Sequence, residues 1–280
     1  MDRNMSEEKK MSIGVLSALT VDGSGIDKVA NFGLDCCQIS CWDMSKCTTE
    51  IALANKKKLE EKGVRITAFW AGVPGPQSWD FQRGPITLGL VPPAFRWARI
   101  EALKKWADFA VEIGAPAIIT HCGFLPENMT DGEAVNVAEA ILEVANYCKR
   151  KGLEFWFETG QETPVTLLRY IEQVGTGNLG INLDPANLLM YGKGNPIDAL
   201  EVFGKYVRNI HAKDGRVPND GRWLGPEVKV GTGMVRYPEF IAKLKEIGFT
   251  GELIIEREIS EKEGQNQDII DTVEYLKKLI

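Results

Sequence analysis

The chain has 280 residues, 44% of them hydrophobic and 26% charged, the balance of an ordinary globular protein with ample core. Its 33 lysines and arginines against 39 aspartates and glutamates leave a net charge of −6 and no basic block, which argues against nucleic acid and anionic membrane as partners. No apolar run approaches the roughly 18 residues of a membrane span.

In chain order, residues 1–10 carry charge with no hydrophobic stretch behind them. They read as a disordered segment ahead of the fold and not as a signal peptide. The spacing then predicts a strand at 11–19, a helix at 26–32, a strand at 34–42 and a helix at 49–62 closed by Gly63. A third strand at 64–71 leads into a long Gly- and Pro-rich loop, 72–93, of the kind that is usually functional in a compact domain. The alternation continues with a helix at 94–113, a strand at 115–121, and a helix at 131–151 that Asp131 caps. A strand at 154–159 precedes a helix opened by Pro164. Strands at 179–183, 207–212 and 251–256 follow, with helices at 196–203, 238–247 and 265–280 and a second long loop at 215–237.

Eight strand–helix units imply a parallel sheet. Their number points to a single (β/α)8 barrel, a TIM barrel over 11–280 with long loops after strands three and seven. A doubly wound sheet is the alternative, but no GxGxxG or GxxxxGK fingerprint follows the first strand. The six cysteines form no CxxC pair or zinc-ribbon spacing, so reduced thiols in a cytoplasmic protein are the simplest reading.

Four successive strands end in a metal-ligand type: Glu158, Asp184, His211 and Glu256. In a parallel barrel all four emerge at the C-terminal rim. Any one carboxylate there could simply cap a helix, as Asp184 before Pro185 could. Four in a row are hard to obtain from capping alone. Three carboxylates and an imidazole at one mouth need a compensating cation, because like charges would raise one another's pKa. One divalent ion meets that need. The donor set accommodates Mn²⁺, Mg²⁺, Co²⁺ or Zn²⁺, with Mn²⁺ the first choice.

The order Glu, Asp, His, Glu at strands five to eight resembles the sugar phosphate isomerase/epimerase family, the xylose isomerase-like TIM barrels. That family includes ketose 3-epimerases, hydroxypyruvate isomerases and inosose-processing enzymes. His211-Ala212-Lys213-Asp214-Gly215 and the stretch Gly231 to Phe240 are similar to its seventh-strand and loop motifs. The resemblance implies Glu158 and Glu256 as the acid–base pair on opposite sides of a substrate carbon, acting through a metal-bound enediolate. Asp184 and His211 would be ligands only. One departure matters. Many family epimerases carry a histidine three residues after the sixth-strand aspartate, where this chain has Asn187, which cannot shuttle a proton near neutral pH.

Further residues at strand ends are candidates for substrate contact. His121 ends the fourth strand and faces the same mouth. Lys213 either returns to the face of His211 and meets a substrate oxygen or is an exposed charge pairing with Asp214. Arg216 and Arg222, in the seventh loop, either bind a polyhydroxylated or anionic substrate or are solvated. Trp42 and Trp70 close strands two and three, where an indole can stack on a sugar or simply pack the rim. The expectation is a metal-dependent isomerase or epimerase of a keto-sugar or related hydroxy-ketone, with self-association left open. A lyase or dehydratase eliminating from an inosose or 3-keto-glycoside is the rival at the same site. A metal-dependent nuclease on this barrel would need more histidines than the two present, His121 and His211, and suits the net charge of −6 poorly.

Overall fold

The computed structural model describes residues 11–280, so the expected disordered segment 1–10 lies outside the described residues. Eight parallel strands close into a barrel: β1 Ser12–Ala18, β2 Cys36–Cys41, β3 Arg65–Ala71, β4 Ala117–Thr120, β5 Glu154–Glu158, β6 Leu179–Leu183, β7 Val207–Ala212 and β8 Glu252–Ile255. Each strand pairs with its sequence neighbours, and β8 closes the ring against β1. Strands such as β2 and β6 are buried along their whole length, which is why they read as apolar runs and not as alternating ones. The helices between them end where the sequence marks them. Gly63, Gly114 and Gly175 take left-handed C-cap geometry, and Thr48, Asp131 and Thr163 cap N-termini with their side chains. Among the described residues no helix is long and apolar enough to cross a membrane.

The barrel lumen holds a small cluster of its own, Ala68, Trp70, Ala117, Ile119 and Trp156, while the larger core lies between strands and helices. Trp156 fits because its neighbour on β6 is Gly180. A Cβ there would stand 2.5 Å from the indole Cδ1.

The differences from the sequence reading are local. The long loop after β3 contains a short helix, Gly84–Thr87, and the following helix begins at Pro93. Residues after β6 form a helix, Pro185–Met190, because Asp184 caps it and Pro185 opens it. The loop after β7 carries a two-residue antiparallel pair, Asp214–Gly215 with Glu227–Val228.

Both long loops are held by buried charge. Arg99, wholly buried on the helix Pro93–Ile113, donates to the carbonyls of Pro74 (3.0 Å), Pro76 (2.9 Å) and Gly89 (2.7 Å). Burial pulls its guanidinium pKa down to about 10, which still leaves it cationic at neutral pH. Asp214 does the converse for the other loop. Its carboxylate accepts the backbone N–H groups of Gly215, Gly231, Gly233 and Val235 at 2.9–3.2 Å. Gly233 has to be glycine, since a Cβ would lie 2.1 Å from Asp214 Oδ1. The loops meet where Phe81 N–H donates to Arg222 O (3.0 Å).

Replacing Arg99 by methionine keeps the apolar stem but strands three carbonyls. We expect Arg99→Met to destabilise the protein by about 3 kcal/mol, read as a lower denaturation midpoint at unchanged slope. An unaltered midpoint would show that the loop is held by other contacts.

Candidate metal centre

Strand geometry delivers four side chains to one point. Glu158 is the last residue of β5, Asp184 and Glu256 directly follow β6 and β8, and His211 is the penultimate residue of β7. One ligand atom from each lies within 4.8 Å of all the others. Donors around a single ion at about 2.0–2.5 Å stand no more than about 5 Å apart, so the set has the size of one coordination shell. Glu158, Asp184 and His211 are buried, and the Glu256 side chain is 11% exposed.

His211 Nδ1 is 2.8 Å from Glu158 Oε1 and 3.1 Å from Glu256 Oε2. Its other nitrogen, Nε2, lies 2.7 Å from Gln38 Oε1. The Gln38 amide donates its own Nε2 to Asn182 Oδ1 (2.9 Å), so its oxygen is left to accept from the imidazole. This relay assigns a hydrogen to Nε2 and leaves Nδ1 facing the carboxylates, a position for either a second proton or a metal ion. Trp70 Nε1 donates to Glu158 Oε2. Asp184 divides its oxygens. Oδ1 accepts Asn187 N–H (2.8 Å) as the cap of the next helix, whereas Oδ2 is buried with no hydrogen-bond partner. His211 Nδ1 likewise lacks a partner of hydrogen-bonding geometry. A divalent cation among the four donors satisfies both orphaned atoms, and three oxygens with one nitrogen suit a hard or borderline ion.

The electrostatics show the same strain. Burial pushes the Asp184 carboxyl well above the usual range, against the pull of Lys213. Burial acts the same way on Glu256, but Lys213 and His211 outweigh it and hold its pKa below the usual range. His211 is pulled down by burial and pushed up further by Glu158 and Glu256, so its pKa stands well above normal. Lys213 is also raised, its burial overcome by Glu256, Glu258 and Asp184. A proton on the imidazole is one way to balance these charges; a metal ion is the other.

Above the cluster opens a pocket of about 200 Å³. Glu158 and Glu256 form part of its wall, while Asp184 and His211 lie beneath it. Of the residues singled out from sequence, His121, Asn187, Lys213, Trp42 and Trp70 all line it. Trp42, 48% exposed, stacks on Trp70 with centroids 4.5 Å apart. His121 Nε2 is 4.0 Å from Glu158 Oε1, its Nδ1 is buried and unpartnered, and burial lowers its pKa so that it stays neutral.

Lys213 is not the exposed partner of Asp214. It is 2% exposed, with Nζ 2.6 Å from Glu258, 3.2 Å from Glu256 and 3.8 Å from Asp184, because Asp214 is already occupied by the loop backbone. Arg216 stands outside the pocket wall, exposed, and donates to Thr232 O (2.8 Å). Arg222, also exposed, is likewise absent from that wall.

The sequence reading did not reach Gln38, Trp79, Tyr191 or Glu258. Gln38 left a trace as an amide inside an apolar strand, repeated in Asn182 and Asn209. Trp79 stands edge-on to His121 at 5.1 Å from the long third loop, and Tyr191 presents a buried hydroxyl without a partner. Neither position carries a periodic signal.

The relay gives a direct test. Chelator-stripped protein titrated calorimetrically with Mn²⁺ should bind one ion. Gln38→Leu should weaken that binding by about 10–100-fold, the usual effect of losing an imidazole's outer partner. Equal affinity in the variant would leave Gln38 a packing residue.

A sequence model of the xylose isomerase-like TIM barrel matches residues 26–279. The xylose isomerase domain protein from Planctomyces limnophilus superposes with a TM-score of 0.91 at 34% identity, over 96% of this chain and 97% of that one. A D-tagatose 3-epimerase-like protein follows at TM-score 0.73 and 22% identity, over 96% and 98% of the two chains, a likeness of fold. The MJ1311 protein of Methanocaldococcus jannaschii is 25% identical over 191 residues, 64% of this chain, and the match spans only 62% of that protein's length. The chain therefore belongs to the xylose isomerase-like TIM barrel family.

Proposed function

We propose that the protein is a divalent-metal-dependent isomerase or epimerase of a keto-sugar or a related hydroxy-ketone. The observation that carries this is the division within the cluster: Glu158 and Glu256 face the pocket, and Asp184 and His211 do not. Two carboxylates exposed to one bound carbon can remove a proton on one side and return it on the other, whereas the buried pair is placed only to coordinate. A bound divalent ion, Mn²⁺ by preference, would supply Lewis acidity toward the substrate's carbonyl oxygen.

The chain's own residues supply the rest. Trp70 holds Glu158 by its second oxygen, and Lys213 holds Glu256, so each carboxylate is oriented by a neighbour in the pocket wall. The indoles of Trp42, Trp70 and Trp79 give apolar faces for the C–H side of a sugar. His121 Nδ1 and the Tyr191 hydroxyl, both buried and unpartnered, can meet substrate hydroxyls that replace the water lost on entry. The epimerase-like neighbour in fold supports the same substrate class. Six free cysteines, five of them buried, support a reducing, cytoplasmic compartment.

Elimination from the same site is favoured by one observation, His121 beside Glu158 in the wall of a pocket that has Asn187 where a proton-transferring histidine is expected. Mass distinguishes the two. In ordinary water an isomerase returns a product of unchanged mass, and in deuterium oxide it labels the carbon beside the carbonyl. Loss of water or an aglycone would replace the isomerase by a lyase.

At saturating Mn²⁺, Glu158→Gln and Glu256→Gln should each lose about 10²–10⁴-fold in kcat. Asp184→Asn should lose activity mainly at low metal and recover with excess. Near-complete rescue of both glutamine variants by Mn²⁺ would reduce the two glutamates to ligands.

A further inference from the structure

A second cavity, of about 350 Å³, opens at the rim between β1 and β8. It shares Trp42, Glu256 and Glu258 with the wall of the reaction pocket, so the two spaces adjoin. The helices Ser24–Asn31 and Gln265–Leu276 stand behind it and supply, with the strands, an apolar back wall of Val15, Val29, Ile255 and Ile269, with Phe32 beside them.

The cations at this cavity are already paired. Lys28 Nζ donates to Glu261 (2.7 Å) and Gln265 (3.1 Å), and Arg257 donates to Glu227 (2.6 Å) and Asp268 (2.9 Å). Glu256 and Glu258 add negative charge at the junction with the reaction pocket. A phosphate or carboxylate placed here would meet no free cation among the described residues and would compete with two carboxylates for the Lys213 ammonium they already share. An uncharged group with an apolar face meets neither obstacle.

We propose that this cavity binds the glycosidic substituent of the substrate, an uncharged sugar or aromatic aglycone, so that the preferred substrate is a glycoside whose sugar ring carries its ketone at a carbon other than the anomeric one, and not a free monosaccharide. The inference rests on the keto-sugar reading of the reaction pocket. There the reacting ring occupies the smaller space over Glu158 and Glu256. The linkage crosses beside Trp42, whose half-exposed indole can stack on either ring. Contacts to this remote, non-reacting part of the substrate are a source of binding energy that can orient the carbon being deprotonated.

Ala18 permits a test that leaves the metal cluster alone. It ends β1, is exposed, lines the second cavity and is absent from the first. Mn²⁺-loaded protein would be titrated calorimetrically with phenyl β-D-glucoside and phenyl β-D-galactoside, and with D-glucose and D-galactose. None of these carries the ketone that the reaction needs, so binding is read apart from turnover. At least one phenyl glycoside should bind about tenfold more tightly than its parent sugar, and Ala18→Phe should abolish that advantage while leaving the parent sugar's affinity unchanged. Phe32→Ala, which removes apolar wall without adding bulk, should weaken the same glycoside about as much. Equal affinities of glycoside and sugar, no binding of either, or a loss shared by both in the variants would overturn the subsite. Should the glycoside preference hold while no keto-sugar exchanges its proton with deuterium oxide, the isomerase reading alone would fail.

Discussion

Three carboxylates and an imidazole packed within 4.8 Å of one another, largely buried at the floor of one pocket, are the constraint to which the rest of the barrel rim answers. Like charges at that separation in a low-dielectric interior repel strongly, and burying them unpaired is costlier still. The structure meets the demand in layers. Lys213 is drawn in among Asp184, Glu256 and Glu258, Trp70 donates to Glu158, and His211 is held from below by Gln38 and Asn182. What these groups leave unsatisfied, Asp184 Oδ2 and His211 Nδ1, are two of the four donor groups a metal would take. The residues that neutralise and orient the cluster are thus distinct from its four donor residues and stop short of satisfying them.

The pocket above the cluster is made by loops, and loops of that length are usually its least determined part. Here each is folded around a single buried charge whose partners are backbone groups. Arg99 gathers carbonyls from the loop after β3, and Asp214 gathers amides from the loop after β7. The result is a wall that places Trp79 and Leu224 without secondary structure to support them. It also explains why Lys213 and Asp214, adjacent and opposite in sign, do not pair. Each has a stronger claim on it from elsewhere.

The barrel strands and the convergence of Glu158, Asp184, His211 and Glu256 were legible in the sequence because both follow from repetition. Eight apolar runs separated by helical stretches imply a parallel ring, and a ligand-type residue at the end of four consecutive runs implies a common rim. Capping and coordination looked like alternatives for Asp184, yet one carboxylate has two oxygens: one caps the helix and the other is left open to a metal. The helix Pro185–Met190 was hidden for the same reason: at six residues it is too short to show periodicity. Arg99 and Glu258 were beyond reach, since their partners come from distant chain segments and their neighbours in sequence are unremarkable charged or helical residues. Gln38 was recoverable in principle. A buried amide one layer beneath a rim of ligands has to hydrogen-bond something, and the imidazole is the nearest group that needs a fixed tautomer.

The Asp184 cap also ties the four-residue cluster to the wall of the pocket. Its Oδ1 fixes the first turn of the short helix through the N–H of Asn187, and Asn187, Met190 and Tyr191 from that turn and its end all line the pocket. Any rotation of the Asp184 carboxylate toward a metal must therefore be accommodated within a cap that also positions the side chain three residues on. The side chain at 187 can change without altering the cap, because the cap uses only the backbone N–H. The pocket wall can in this way vary at position 187 while the four-residue cluster stays intact.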